Sequence, residues 1–135
     1  MILTLVDAAE SIAALNIVDR EHIYCGHMAD KIECCVGVYH LERNGKSTTV
    51  GGRSNSSYCV KPVSILVHWN RSCKDTETAA SRLYDALDSI RNVVVNGRHI
   101  LFTDMRTDAP VDVGTDDNGI YEMVIETDFY YKREE

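Results

Sequence analysis

The chain reads as an α+β domain in which about four main strands, mostly antiparallel, pack against two amphipathic helices, with a long Gly- and Ser-rich loop or hairpin between strands. Three observations carry that expectation. Two segments repeat apolar residues at helical spacing, several others alternate apolar with polar residues, and an Asn-Gly pair joins two extended runs as a hairpin. The 135 residues fit a single domain, residues 1–135, large enough to bury roughly two thirds of the surface of the unfolded chain.

From the start, Leu5, Val6, Ala9, Ile12 and Ala13 recur at helical spacing within Leu3 to Leu15, with Asp7, Glu10 and Ser11 assigned to the outward face. An irregular passage follows. Lys31 to Leu41 then alternates Ile32, Cys34, Val36 and Val38 against Glu33, Cys35, Gly37 and Tyr39, which predicts a strand. Arg43 to Tyr58 is dominated by Gly, Ser, Thr and Asn and shows neither period, so it is expected to be a loop or hairpin tip. About sixteen residues is long for a connection in a compact domain, and that length points to binding or assembly as readily as to a plain surface excursion.

Val63, Ile65, Val67 and Trp69 alternate with Ser64, Leu66 and His68, a strand whose second-face Leu66 suggests a central position. Ser72 or Asp75 can cap the helix that follows, where Ala80, Leu83, Tyr84, Leu87 and Ile90 form the apolar stripe. Val93 to Val95 and His99 to Met105 flank Asn96-Gly97, the pair favoured in a tight type I′ turn. Thr107 to Asn118 gathers Asp108, Asp112, Asp116 and Asp117 around Pro110 and Gly114 and is expected to be an acidic loop, turning at Asp117 to Gly119. In the final strand, Gly119 to Tyr131, the residues Tyr121, Met123, Ile125, Phe129 and Tyr131 face one way and Glu122, Glu126 and Asp128 the other. Val124 interrupts the polar side, as a contact with a neighbour would.

Composition narrows the function classes. A formal charge of −7 argues against a general nucleic-acid binder, which needs Lys and Arg to neutralise phosphates. The odd set Cys25, Cys34, Cys35, Cys59 and Cys73 reads as reduced thiols in a cytosol, and the N-terminal apolar run carries Asp7 and Glu10, unlike a signal peptide or membrane span.

Near-motifs fail on inspection. His40 to Ser47 ends like a phosphate loop, but His40 stands where the first glycine belongs, and Thr48, Thr49 and Val50 follow in place of a helix start. The cysteines and histidines lack the paired spacing of structural zinc. The aspartates miss an EF-hand register, since counting back from Gly114 or Gly119 puts Ala109 or Gly114 at the first ligand position. Ser64 has no nucleophile elbow. No catalytic residue, metal or cofactor is expected. Phe129, Tyr130 and Tyr131 read as core and rim, tyrosine being enriched at interfaces.

The second half resembles the minor capsid and tail terminator proteins of tailed bacteriophages. The resemblance rests on Tyr84-Asp85-Ala86-Leu87 in the helix after a hydrophobic strand, on Pro110, Gly114, Asp116, Asp117 and Gly119 before the last strand, and on Phe129, Tyr131 and Arg133 at its end. It implies a virion protein of the tail or neck, assembled in the host cytoplasm, that self-associates as a hexameric ring. Such a ring would end tail-tube polymerisation, dock the head through a connector or head-completion protein, and leave a channel through which DNA passes without specific binding or any membrane contact. The candidate interface residues are Arg43, Lys46 and Arg53 in the long loop, Asp108, Asp112, Asp116 and Asp117 in the acidic loop, and Tyr130 and Arg133 at the end. Two rival readings stay open: a head-tail connector or completion protein, and a small ligand- or nucleotide-binding domain or enzyme using His40 to Ser47 or the Cys and His set.

Overall fold

The computed structural model describes residues 2–28, 33–41 and 58–133. Helix α1 (Leu5–Ala13) is followed by a short 3-10 turn at Arg20–His22 and strand β1 (Ile23–Cys25). Strands β2 (Cys35–His40) and β3 (Tyr58–His68) lead to helix α2 (Cys73–Asp88), the hairpin β4 (Arg91–Val95) and β5 (Arg98–Met105), and finally β6 (Val111–Thr115) and β7 (Tyr121–Lys132).

All seven strands join one sheet in the order β1-β2-β3-β7-β5-β4, with β6 also paired to β7. The only parallel pair among them is β1 with β2. The α+β class and the mostly antiparallel sheet are as expected, but the sheet is larger than the four main strands the pattern predicts. β1 has three residues, too few to show a period. β6 lies in the stretch whose Pro110, Gly114 and aspartates predict a loop, and it tolerates them because it is held on one side only, with a bulge between Asp112 and Gly114. The third strand also starts earlier than its pattern shows, at Tyr58, so that residue is strand and not loop. The rest of the Gly- and Ser-rich stretch, with Arg43, Lys46 and Arg53, and most of the His40 to Ser47 near-motif, lies outside the described residues, as does Ile32.

Cross-strand partners share a face of an antiparallel sheet. Met123, Ile125 and Thr127 of β7 therefore line up with Val67, Ile65 and Val63 of β3, and these with Val36 and Val38 of β2, all buried. Phe129 and Tyr131 extend the same face. Ala8, Ala9 and Ile12 of α1 and Ala80, Leu83 and Leu87 of α2 close over it to form one core. α2 lies against β7, β5 and β3, while α1 touches both β1 and β4, the two ends of the strand order, so the sheet curls around α1. The opposite face carries neither helix, and its Leu66, Val124 and Tyr130 stay half-buried.

Local signals explain the helix ends. Ser72 caps α2 by accepting from the Asp75 N–H at 3.2 Å. Thr4 and Asp7 form a reciprocal capping box on α1, at 3.1 and 3.0 Å. That box corrects the expected face of the first helix: Asp7 and Ser11 are buried and Val6 is exposed. Asp7 can be buried because the Thr4 groups and the Asn96 side chain, which donates to its carboxylate at 2.9 Å, satisfy it; Ser11 donates to the Ala8 carbonyl at 2.6 Å. At the hairpin, Asn96 and Gly97 both take positive φ, 49° and 78°, as a type I′ turn requires.

Candidate interaction surfaces

Among the described residues, those of the near-motifs do not converge on a chemical site. Among the described residues, no three or more His, Cys, Asp or Glu side chains gather as a metal ion would need. All five cysteines are free of disulfides; Cys35 is buried, with its sulfur 3.6 Å from that of Met28, whereas Cys25 and Cys73 are exposed. Burial first, then the Glu10 carboxylate, pushes the Cys25 thiol up; at Cys73 the Glu77 hydrogen bond does so. Neither is the low-pKa thiol that nucleophilic chemistry requires. The groove between α1 and β1, lined by Val6, Ala13, Ile23 and Cys25 and crossed by the Arg20–Glu10 ion pair, measures about 160 Å³. Ligand pockets usually occupy roughly 300–1,000 Å³.

What the fold does organise is the long ribbon of β3 and β7. β7 spans twelve residues, about 36 Å at roughly 3.3 Å per residue, and the two ends of this strand differ in chemistry.

At its start lies the acidic end. The Asp116 carboxylate accepts from the N–H groups of Asn118 and Ile120, at 2.8 and 3.0 Å, and so shapes the β6–β7 turn. Its other oxygen lies 3.7 Å from Nε2 of His68, whose Nδ1 is 2.9 Å from Glu122. Arg71 donates to the Asn118 carbonyl and ties the turn to the end of β3. Asp116 is therefore a structural residue, whereas Asp112 and Asp117 are exposed. Asp112 accepts from Gly114 N–H at the bulge. Two valines flank it: Val111 is 45% exposed and Val113 51%. Asp108 does not join this group. It sits in the β5–β6 connection, near Tyr84, whose hydroxyl donates to the Thr107 carbonyl and is pushed up in pKa by burial and then by Asp88, Asp108 and Asp85.

At the far end of β7, on the helix-free face, three aromatic rings make a stripe. Phe102 stacks on Tyr130 with centroids 4.5 Å apart and planes at 11°, and Tyr58 leans on the other side of Tyr130 at 5.4 Å. The register explains the stripe, since Phe102 of β5 pairs with Tyr130, and Val60 of β3 pairs with it from the opposite side. Exposed Lys132 pairs with Tyr58 at the same end, and Arg133 follows, half-buried.

Of the candidates read from sequence, Asp112, Asp116 and Asp117 thus come together at one end of the ribbon, Tyr130 and Arg133 stand at the other, and Asp108 lies apart. Phe102, Tyr58, Val111 and Val113 are missed by sequence reasoning. The only available signal for the valines was their own alternation across Asp112, masked by Pro110 and Gly114. Phe102 and Tyr58 become neighbours of Tyr130 only through strand pairing.

Against known proteins, residues 11–133 match the family model described as bacteriophage tail terminator protein. No curated protein sequence matches the chain. Among solved structures, a chain from the virion of a native gene transfer agent particle superposes with a TM-score of 0.58 at 11% identity, covering 90% of this chain and 84% of that one. At that identity the likeness is one of fold. The family match, spanning both ends of the ribbon and all but the first turns of the chain, carries the assignment: this protein belongs to the bacteriophage tail terminator family and is a structural protein of the phage tail and virion.

Proposed function

We propose that the protein caps the completed tail tube as a hexameric ring, ending tube polymerisation and offering the surface on which the head docks. The family match over residues 11–133 carries this reading. The two-ended ribbon supports it: a subunit of a closed ring needs two different contact surfaces on one rigid element, and β7 supplies a rigid element with an acidic and an aromatic end. Tube subunits would meet one side of the ring and a head-completion or connector protein the other, with DNA passing through the channel. The test is a pair of measurements on phage particles. Loss of the protein should give headless tails of uncontrolled length, and imaging of the neck should place a ring at the tube end. A ring seated against the portal, with tube length unaffected, would overturn the capping role and favour a connector.

A further inference from the structure

Resting on the ring reading, we infer that neighbouring copies join head to tail: the aromatic stripe Tyr58–Tyr130–Phe102 of one copy receives the β6–β7 end of the next. The surfaces match in two independent ways. The stripe lies on a sheet face that neither helix covers: Tyr58 and Tyr130 are half-buried, and Phe102 is 38% exposed although its ring is already stacked. The β6–β7 end offers an apolar counterpart in Val111 and Val113, the most exposed large hydrophobics of the sheet after Val94. Exposed aliphatic and aromatic groups flanked by polar residues mark association sites, and aromatic residues are enriched where such sites close.

Charge gives the second match and sets the polarity. Lys132 is exposed beside the stripe, and Arg133 adjoins it; Asp112 is exposed between the two valines, and Asp117 is exposed in the β6–β7 turn. Stripe against β6–β7 end brings Lys132 and Arg133 of one copy toward Asp112 and Asp117 of the next, opposite charges around a shared apolar centre. Because the two surfaces lie at opposite ends of one ribbon, the contact is heterologous, and repeating it closes a ring or grows an open filament according to the rotation between copies. Among the described strands β6 pairs with β7 alone, which leaves its outer edge without a strand partner there.

The test uses full-length protein and two charge-reversed variants. One carries Phe102→Glu with Lys132→Glu, the other Val113→Lys with Asp117→Lys; all four side chains are exposed, and circular dichroism checks that each variant folds. Sedimentation velocity over a concentration series should show each variant alone self-associating roughly tenfold or more weakly than the parent, and a one-to-one mixture recovering association by alternation. Association that persists in both variants, or a mixture that fails to recover it, overturns the assignment of these surfaces and leaves the ring reading standing. If the parent is monomeric in solution, carbodiimide cross-linking of assembled particles replaces sedimentation, and Lys132 must then link to Asp112 or Asp117 of another copy; a ring cross-linked through other residues overturns the inference. Absence of any ring at the neck would instead overturn the proposed function.

Discussion

His68 and Glu122 face each other across the β3–β7 ladder with Nδ1 and Oε2 2.9 Å apart, the imidazole wholly buried and the carboxylate nearly so. Nε2 of the same ring has no hydrogen-bond partner closer than Asp116, at 3.7 Å. One imidazole thus links β3, β7 and the β6–β7 turn. Removing it would leave both a void and two poorly solvated carboxylates.

His68→Ala is therefore expected to destabilise the fold by about 2–4 kcal/mol, from lost packing together with lost polar partners. Urea denaturation measures the loss, and hydrogen exchange should show faster exchange at the Asn118 and Ile120 amides than in the parent. A change below about 0.5 kcal/mol with unchanged exchange at both amides would contradict the role given to His68.

Leu87 is fully buried on α2, and its carbonyl accepts from the Thr103 hydroxyl at 2.6 Å. Leu87→Ala should cost about 2–5 kcal/mol, the range for cutting a leucine out of a packed core. Because Thr103 would keep its acceptor, the variant should retain the parent circular dichroism and differ in melting temperature.

Gly37 is overlain by the ends of two flexible side chains, which must move before a Cβ can be added. A Cβ there would stand 2.6 Å from the Tyr39 ring and 2.7 Å from the Met28 methyl, on the helix-free face of β2. Gly37→Ala should cost about 1 kcal/mol or less, because the Tyr39 and Met28 side-chain ends can swing aside. Displaced Met28 would uncover Cys35, so that thiol should react faster with a maleimide. Unchanged Cys35 labelling would contradict that displacement.

The Asp7 carboxyl sits below the ordinary carboxylate range. Burial pushes it up, but the Thr4 N–H, the Asn96 amide, the Thr4 hydroxyl and the charge of Arg98 together outweigh that and hold it down. A carboxyl depressed by folding stabilises the native state fully above its unfolded value, about 3.9, and that contribution disappears as pH falls through the lower folded value. Asp7→Asn should therefore flatten the stability curve below about pH 4, besides costing about 1 kcal/mol in capping at pH 7. Parallel denaturation curves for parent and variant from pH 7 to pH 2.5 would refute the linkage.

How far the sequence reached depends on how local the deciding physics is. The cap at Ser72, the stripe Ala80–Leu83–Leu87 and the turn at Asn96-Gly97 are set by residues a few positions apart, and all three form as read. The burial of Asp7 depends on Asn96, 89 residues away, and no helical period can foretell it. β6 exists because β7 offers it an edge, which its own residues do not announce. The candidate surfaces follow the same division. The aspartates and Tyr130 are visible as composition, while the stripe is a product of register, with Tyr58 and Phe102 brought to Tyr130 from strands far apart in the chain.

β7 is synthesised after every strand it pairs with, yet it occupies the middle of the sheet, between β3 on one side and β5 and β6 on the other. A nascent chain that has emerged only as far as β6 has no scaffold for its acidic end, no Tyr130 for its stripe, and an eleven-residue β3 that pairs with β2 on one side but has its β7 edge bare. Such a fragment would lack both of the proposed contact surfaces and would be open to aggregation along the bare edge of β3. Placing the late strand at the centre thus means that the sheet can close only after translation has passed Lys132.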